Sequence, residues 1–87
     1  MTVDTIAVTI RYFAAAAAAA GVDAETLDIE KDTSIATLVE QLSGRDAELA
    51  RVLKRCSYLC DGVAVRDMDK RVSTPQTLDV LPPFAGG

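Results

Sequence analysis

Two adjacent prolines, Pro82 and Pro83, set the strongest limit on this fold. They follow directly on Thr77–Leu81, where Leu78 and Val80 share one strand face and Leu81 falls out of phase. Proline lacks an amide proton, fixes its own φ and pushes the residue before it toward extended backbone. Pairing is therefore expected to stop at Leu81, giving one domain over residues 1–81 and an extended tail over residues 82–87. Beyond Pro83, the stretch Phe84-Ala85-Gly86-Gly87 spans about 13–14 Å when extended, at about 3.3–3.6 Å per residue. Its two glycines carry no Cβ, so a free carboxylate on Gly87 can enter a slot that larger residues would block. Most chain ends are polar and poorly ordered. This one is apolar and stiff at its base, as suits insertion into another protein.

Composition bounds the partners. The chain has 87 residues, enough for one domain with a small core. Thirteen acidic and nine basic residues leave a formal charge of −4, which argues against nucleic acid as a ligand. No apolar run approaches the roughly 20 residues of a membrane span, and no secretory pattern opens the chain. A cytoplasmic location is expected. Cys56 and Cys60 stand alone, with no histidine anywhere, so neither a zinc site nor an iron–sulfur site is expected. They read as small apolar thiols packed in the core.

Along the chain, Thr5–Phe13 predicts a strand with Ile6, Val8, Ile10 and Tyr12 on its core face. Phe13 lies on the other face. Seven alanines, Ala14–Ala20, closed by Gly21, predict a short helix packed closely on a sheet. Thr26–Glu30 predicts a strand returning beside the first. Thr33 or Ser34 caps a helix with the stripe Ile35, Leu38, Val39, Leu42, ended by Gly44. A second helical segment runs from Asp46 to about Arg55, with the stripe Leu49, Val52, Leu53, Cys56. Arg45, Arg51, Lys54 and Arg55 form a modest basic cluster, with Lys54 and Arg55 near a helix C-terminus; placement against the helix dipole is the favoured reading, and a binding patch the alternative. Asp61-Gly62 marks a hairpin between Tyr58–Cys60 and Val63–Val65. Arg66–Arg71 reads as a charged loop, and Ser73-Thr74-Pro75-Gln76 as a turn.

Phe13 and Leu81 are each bulky and apolar on the non-core face at a strand end. Were the first and last strands neighbours and parallel, the two would meet at the base of the tail. With Phe84 they would form an exposed patch of the kind that marks an interaction site.

The element order, with a Gly-Gly tail leaving the last strand, resembles the α+β β-grasp fold of ubiquitin-like proteins. More narrowly, the chain resembles the MoaD branch of the MoaD/ThiS sulfur carriers, the molybdopterin synthase small subunits. The resemblance rests on Arg11-Tyr12-Phe13-Ala14, on Leu59-Cys60-Asp61-Gly62-Val63-Ala64-Val65, and above all on Leu81-Pro82-Pro83-Phe84-Ala85-Gly86-Gly87. One departure is Thr74-Pro75-Gln76, where the family usually has a Gly-Asp turn.

This resemblance implies a mixed sheet of four to five strands with helices on one face. It implies that Gly87 is adenylated by an ATP-dependent, MoeB-like adenylyltransferase and converted to a thiocarboxylate with a sulfur donor. It implies that the tail then enters a MoaE-like large subunit and passes sulfur to cyclic pyranopterin monophosphate held there. Gly86 would supply slimness, while Leu81, Pro82, Pro83, Phe84 and Ala85 would form the stem and Phe13 would seat it. The chain itself would bind no cofactor, ATP being used by the activating enzyme. It would be a protein co-substrate more than a free-standing catalyst. Other readings are a ThiS-like or cysteine-synthesis carrier, a ubiquitin-like modifier joined through Gly87 to lysines, and a binding module with an incidental Gly-Gly end.

Overall fold

A computed structural model describes residues 4–83, so the expectations for Phe84, Ala85, Gly86 and Gly87 lie outside the described residues. The elements run β1 (Thr5–Tyr12), α1 (Ala15–Ala20), β2 (Ala24–Glu30), β3 (Thr33–Ser34), α2 (Ile35–Ser43), α3 (Ala47–Leu53), β4 (Ser57–Cys60), β5 (Val63–Ala64), β6 (Arg71–Val72) and β7 (Gln76–Leu81). Five strands form one mixed sheet in the order β2-β1-β7-β4-β5. β1 and β7 are parallel, and the other neighbours are antiparallel. This is the β-grasp arrangement expected.

Strand alternation sorts the sheet into two faces. Val8, Ile10 and Tyr12 of β1, Leu78 and Val80 of β7, and Tyr58 and Cys60 of β4 are buried on one of them. They share a single core with Ile35, Leu38 and Leu42 of α2 and Leu49 and Leu53 of α3. The helical stripes are those read from the spacing. The Ser34 side chain accepts the Thr37 amide at the start of α2, and Asp46 accepts the Glu48 amide at the start of α3. Cys60 is buried and Cys56 half-buried, both as free thiols.

The alanine run forms α1. Ala16 is fully buried, and the absence of longer side chains lets α1 lie close to its neighbours. Gly21 ends it with φ 80°, its amide donating to Ala17 O at 2.9 Å. The start differs from the expected continuous passage from strand to helix. β1 stops at Tyr12, and Phe13 O accepts the Ala16 amide at 3.0 Å across a tight turn. Ala14 occupies the second position of that turn at φ 50°, ψ −125°. This is type II′ geometry, which favours glycine.

Two further differences are local. Arg71, expected as the end of a charged loop, forms with Val72 a short strand antiparallel to Thr33–Ser34 in a second, two-stranded sheet. Helix α3 ends at Leu53, with Lys54 as its C-cap, so Arg55 lies just outside it.

A polar staple ties the sheet to the helices. The Tyr12 hydroxyl donates to Glu25 Oε2 at 2.7 Å, and Arg45 Nη1 donates to the same oxygen at 2.9 Å. The Arg45 hydrogen bond, aided by Tyr12, holds the Glu25 carboxyl below its ordinary range against the opposing effect of burial. Burial and then Glu25 push the Tyr12 hydroxyl well above the ordinary phenol range, so it remains a donor.

Two predictions follow from these contacts. Replacing Ala14 by glycine relieves its backbone strain and is expected to raise unfolding stability by about 1–2 kcal/mol. Urea titration checks this, and an unchanged or lower midpoint contradicts it. For Glu25, a depressed folded pKa means that its stabilising effect is present above the unfolded carboxyl value and lost as pH falls through the folded one. Glu25→Gln is therefore expected to be less stable at neutral pH and to show a shallower stability loss between about pH 5 and pH 3. Parallel acid profiles for the two proteins would contradict the assignment.

Candidate functional site: the base of the tail

The site starts from register. Tyr12 is paired with Val80 in the parallel ladder, and the Phe13 amide donates to Val80 O at 3.2 Å. Phe13 thus follows β1 at the level where Leu81 closes β7. Both residues belong to the face of the sheet opposite the helices. The condition set by the sequence, neighbouring parallel strands, is met. Phe13 is 36% exposed and Leu81 half-buried. Pro82 is half-buried and Pro83 exposed, so the chain leaves the sheet here. The structure therefore brings together Phe13, Leu81 and Pro82 at one end of the central strand pair.

An ion pair supports this corner. Arg11 and Asp79 face each other in the register, with Arg11 Nε 2.9 Å from Asp79 Oδ1. The contact is one of charge, off the line of an aligned hydrogen bond. Asp79 is the one buried charged residue among those described. The Arg11 guanidinium also lies over the Phe13 ring, 5.3 Å from its centroid. At such range a cation over an aromatic face contributes about 0.5–1 kcal/mol at exposed sites. Asp79, Arg11 and Phe13 thus form a chain of contacts that fixes the aromatic ring beside the tail. Sequence reasoning assigned no role to Arg11 and Asp79. Their signal is shared spacing: each precedes its strand's terminal apolar residue by two positions, so both lie on one face.

The two thiols offer no reactive centre. Burial pushes both Cys56 and Cys60 above the ordinary thiol range. Cys56 Sγ also donates to Val52 O at 3.2 Å. Both are protonated at neutral pH and are weak nucleophiles. Neither thiol is therefore a candidate for nucleophilic chemistry in this fold.

Comparison with known proteins agrees with this arrangement. The model of the ThiS family matches residues 10–87. No curated protein matches the chain in sequence. Among solved structures, the chain is similar to a putative molybdopterin converting factor, subunit 1, from Pyrococcus furiosus. The TM-score is 0.80 and the identity 21%, over 91% of this chain and 99% of that one. It is similar to SAMP1 from Haloferax volcanii, with a TM-score of 0.79 and 22% identity, over 93% and 99% of the two chains. It also resembles a chain in the complex of subunits 1 and 2 of the molybdopterin-converting factor from Helicobacter pylori. That match has a TM-score of 0.64 and 17% identity, over 94% of this chain and 100% of the other. With its family match running from β1 through the Gly-Gly end, the chain belongs to the ThiS family.

Proposed function

We propose that this chain is the sulfur-carrying small subunit of a molybdopterin synthase. The observation that carries the proposal is where the tail begins. β7 is paired on both sides, by β1 and by β4, and it ends beside an exposed aromatic ring held by Arg11. A tail pushed into another protein needs such an anchor, and the ring and Leu81 give the receiving protein an apolar collar to close on. The similarity to subunit 1 of a two-subunit molybdopterin-converting factor supports a large subunit as that receiver.

In this reading the chemistry occurs at the carboxylate of Gly87. An α-carboxylate has a pKa of roughly 3.3–3.7 and is a poor acyl electrophile as the anion. A carboxylate oxygen attacks the α-phosphorus of ATP on a MoeB-like adenylyltransferase, and pyrophosphate leaves. A sulfide-level sulfur nucleophile then attacks the acyl carbon and AMP leaves with the oxygen it holds, so a thiocarboxylate remains on Gly87. The charged tail enters a MoaE-like large subunit, where its sulfur bonds to a carbon of cyclic pyranopterin monophosphate and water then cleaves the acyl carbon–sulfur bond, restoring the Gly87 carboxylate. Gly86 keeps the tip narrow. Phe13, Leu81, Pro82, Pro83, Phe84 and Ala85 make the contacts that seat it.

One observation favours a second reading. The fold is equally similar to SAMP1, a small archaeal modifier protein, so Gly87 could instead be joined to lysine amines. That reading predicts higher-mass conjugates in cells.

Deleting Gly86 and Gly87 is expected to abolish molybdenum-enzyme activity in a strain without a paralogue, and intact activity there would overturn the carrier role. Phe13→Asp is expected to weaken large-subunit affinity by at least about tenfold, through loss of an aromatic anchor that the partner would bury. Because Phe13 is exposed, its melting temperature should stay close to that of the parent. Unchanged affinity would remove the collar while leaving the tail chemistry in place.

A further inference from the structure

On the helix side of the tail base lies an open cleft of about 330 Å³, lined by Ala15, Arg51, Val52, Arg55, Pro82 and Pro83. We propose that this cleft is a docking site for an acidic segment of the large subunit that receives the tail, an inference that rests on the function proposed above.

The residues divide into a floor, two cations and a wall. Val52 is half-buried and Ala15 is small, which makes a shallow apolar floor. Arg51 lies in the last turn of α3, and Arg55 follows just past its C-cap. Both are exposed, and both line the cleft. Pro82 and Pro83 form the wall, so anything seated here touches the tail where it leaves the sheet.

The helix dipole accounts for part of the basic cluster only. Lys54, the C-cap of α3, does not line the cleft, and Arg45 is committed to Glu25 in the staple. Arg51 is held by Glu48 at 3.1 Å, but both side chains are largely exposed. Such a surface pair is weak and readily exchanged for another carboxylate. Arg55 has no carboxylate partner among the described residues. Two available guanidinium groups beside the tail are thus a local exception on a chain of net charge −4.

Charge complementarity and continuity identify the occupant. A slot that receives the tail must close around Pro82 and Pro83, so its rim reaches this cleft. Carboxylates on that rim would meet the arginines, steer encounter and fix the rotation of the domain about its tail. The apolar collar at Phe13 and Leu81 holds the sheet side of the same stem. The cleft holds the helix side.

The test uses the intact chain and its purified cognate large subunit, with affinity and association rate measured at low and high salt. The double variant Arg51→Glu, Arg55→Glu is expected to raise Kd by about tenfold or more at low salt, mainly through slower association. The difference should shrink at high salt, where exposed charges are screened. The double variant Arg51→Lys, Arg55→Lys should stay within about threefold of the parent, because a steering charge is retained. If charge reversal lowers the melting temperature, Arg55→Ala serves as the second reading of the same contact. A reversed variant that folds and associates like the parent overturns this inference alone. A parent chain that does not bind the large subunit overturns the functional proposal, and this inference with it.

Discussion

The parallel pairing of β1 with β7 is the constraint on which the rest depends. It joins the two ends of the chain, placing Val8 beside Gln76 and Tyr12 beside Val80. β2 adds to the outer edge of β1, and β4 to the outer edge of β7, so neither flank exists without this central pair. On its inner face it supplies Val8, Ile10, Leu78 and Val80, against which the helices bury their stripes. On its outer face it places Arg11 beside Asp79 and brings Phe13 level with Leu81. Core and site are thus the two faces of one strand pair. Closing so long a loop costs entropy before its contacts form, so the domain completes only with its final strand in place.

The proposed function draws on this geometry more than on any reactive side chain. The cysteines are buried or half-buried and held as thiols, and the sequence has no histidine. What the fold offers instead is a firm origin for the residues that follow Leu81. The tail leaves from a strand with partners on both sides, flanked by an aromatic ring on one face and two arginines on the other. In the function proposed above, the reacting carbon is that of Gly87, delivered to the active sites of other proteins. The folded part then serves to aim and to be recognised.

Much of this was legible in the residues. Period-two alternation located the strands that pack on the helices, because each has one wet and one dry face. Helical spacing located both amphipathic helices, and Asp46 and the pair Thr33-Ser34 marked their starts, with Ser34 the residue that caps. Phe13 and Leu81 stood out because each breaks the apolar phase of its strand. The remainder was hidden for physical reasons. A two-residue strand such as Arg71–Val72 is too short to carry a period, and its pairing with Thr33–Ser34 is set by tertiary contact. Alanine gives no hint of positive φ, so the turn at Ala14 was invisible within a run that reads as helix. The roles of Arg11 and Asp79 needed the strand register, which no local pattern contains. The cleft beside Pro82 and Pro83 needed the position of α3 relative to the tail.

The central claim is that the terminal carboxylate of Gly87 carries sulfur. The most direct measurement is the intact mass of the chain after incubation with its adenylyltransferase, ATP and a sulfur source. The account predicts a gain equal to replacing one oxygen by sulfur, located at Gly87 and absent when ATP is omitted. An unchanged mass, with an adenylyltransferase shown to be active on another carrier, would contradict it.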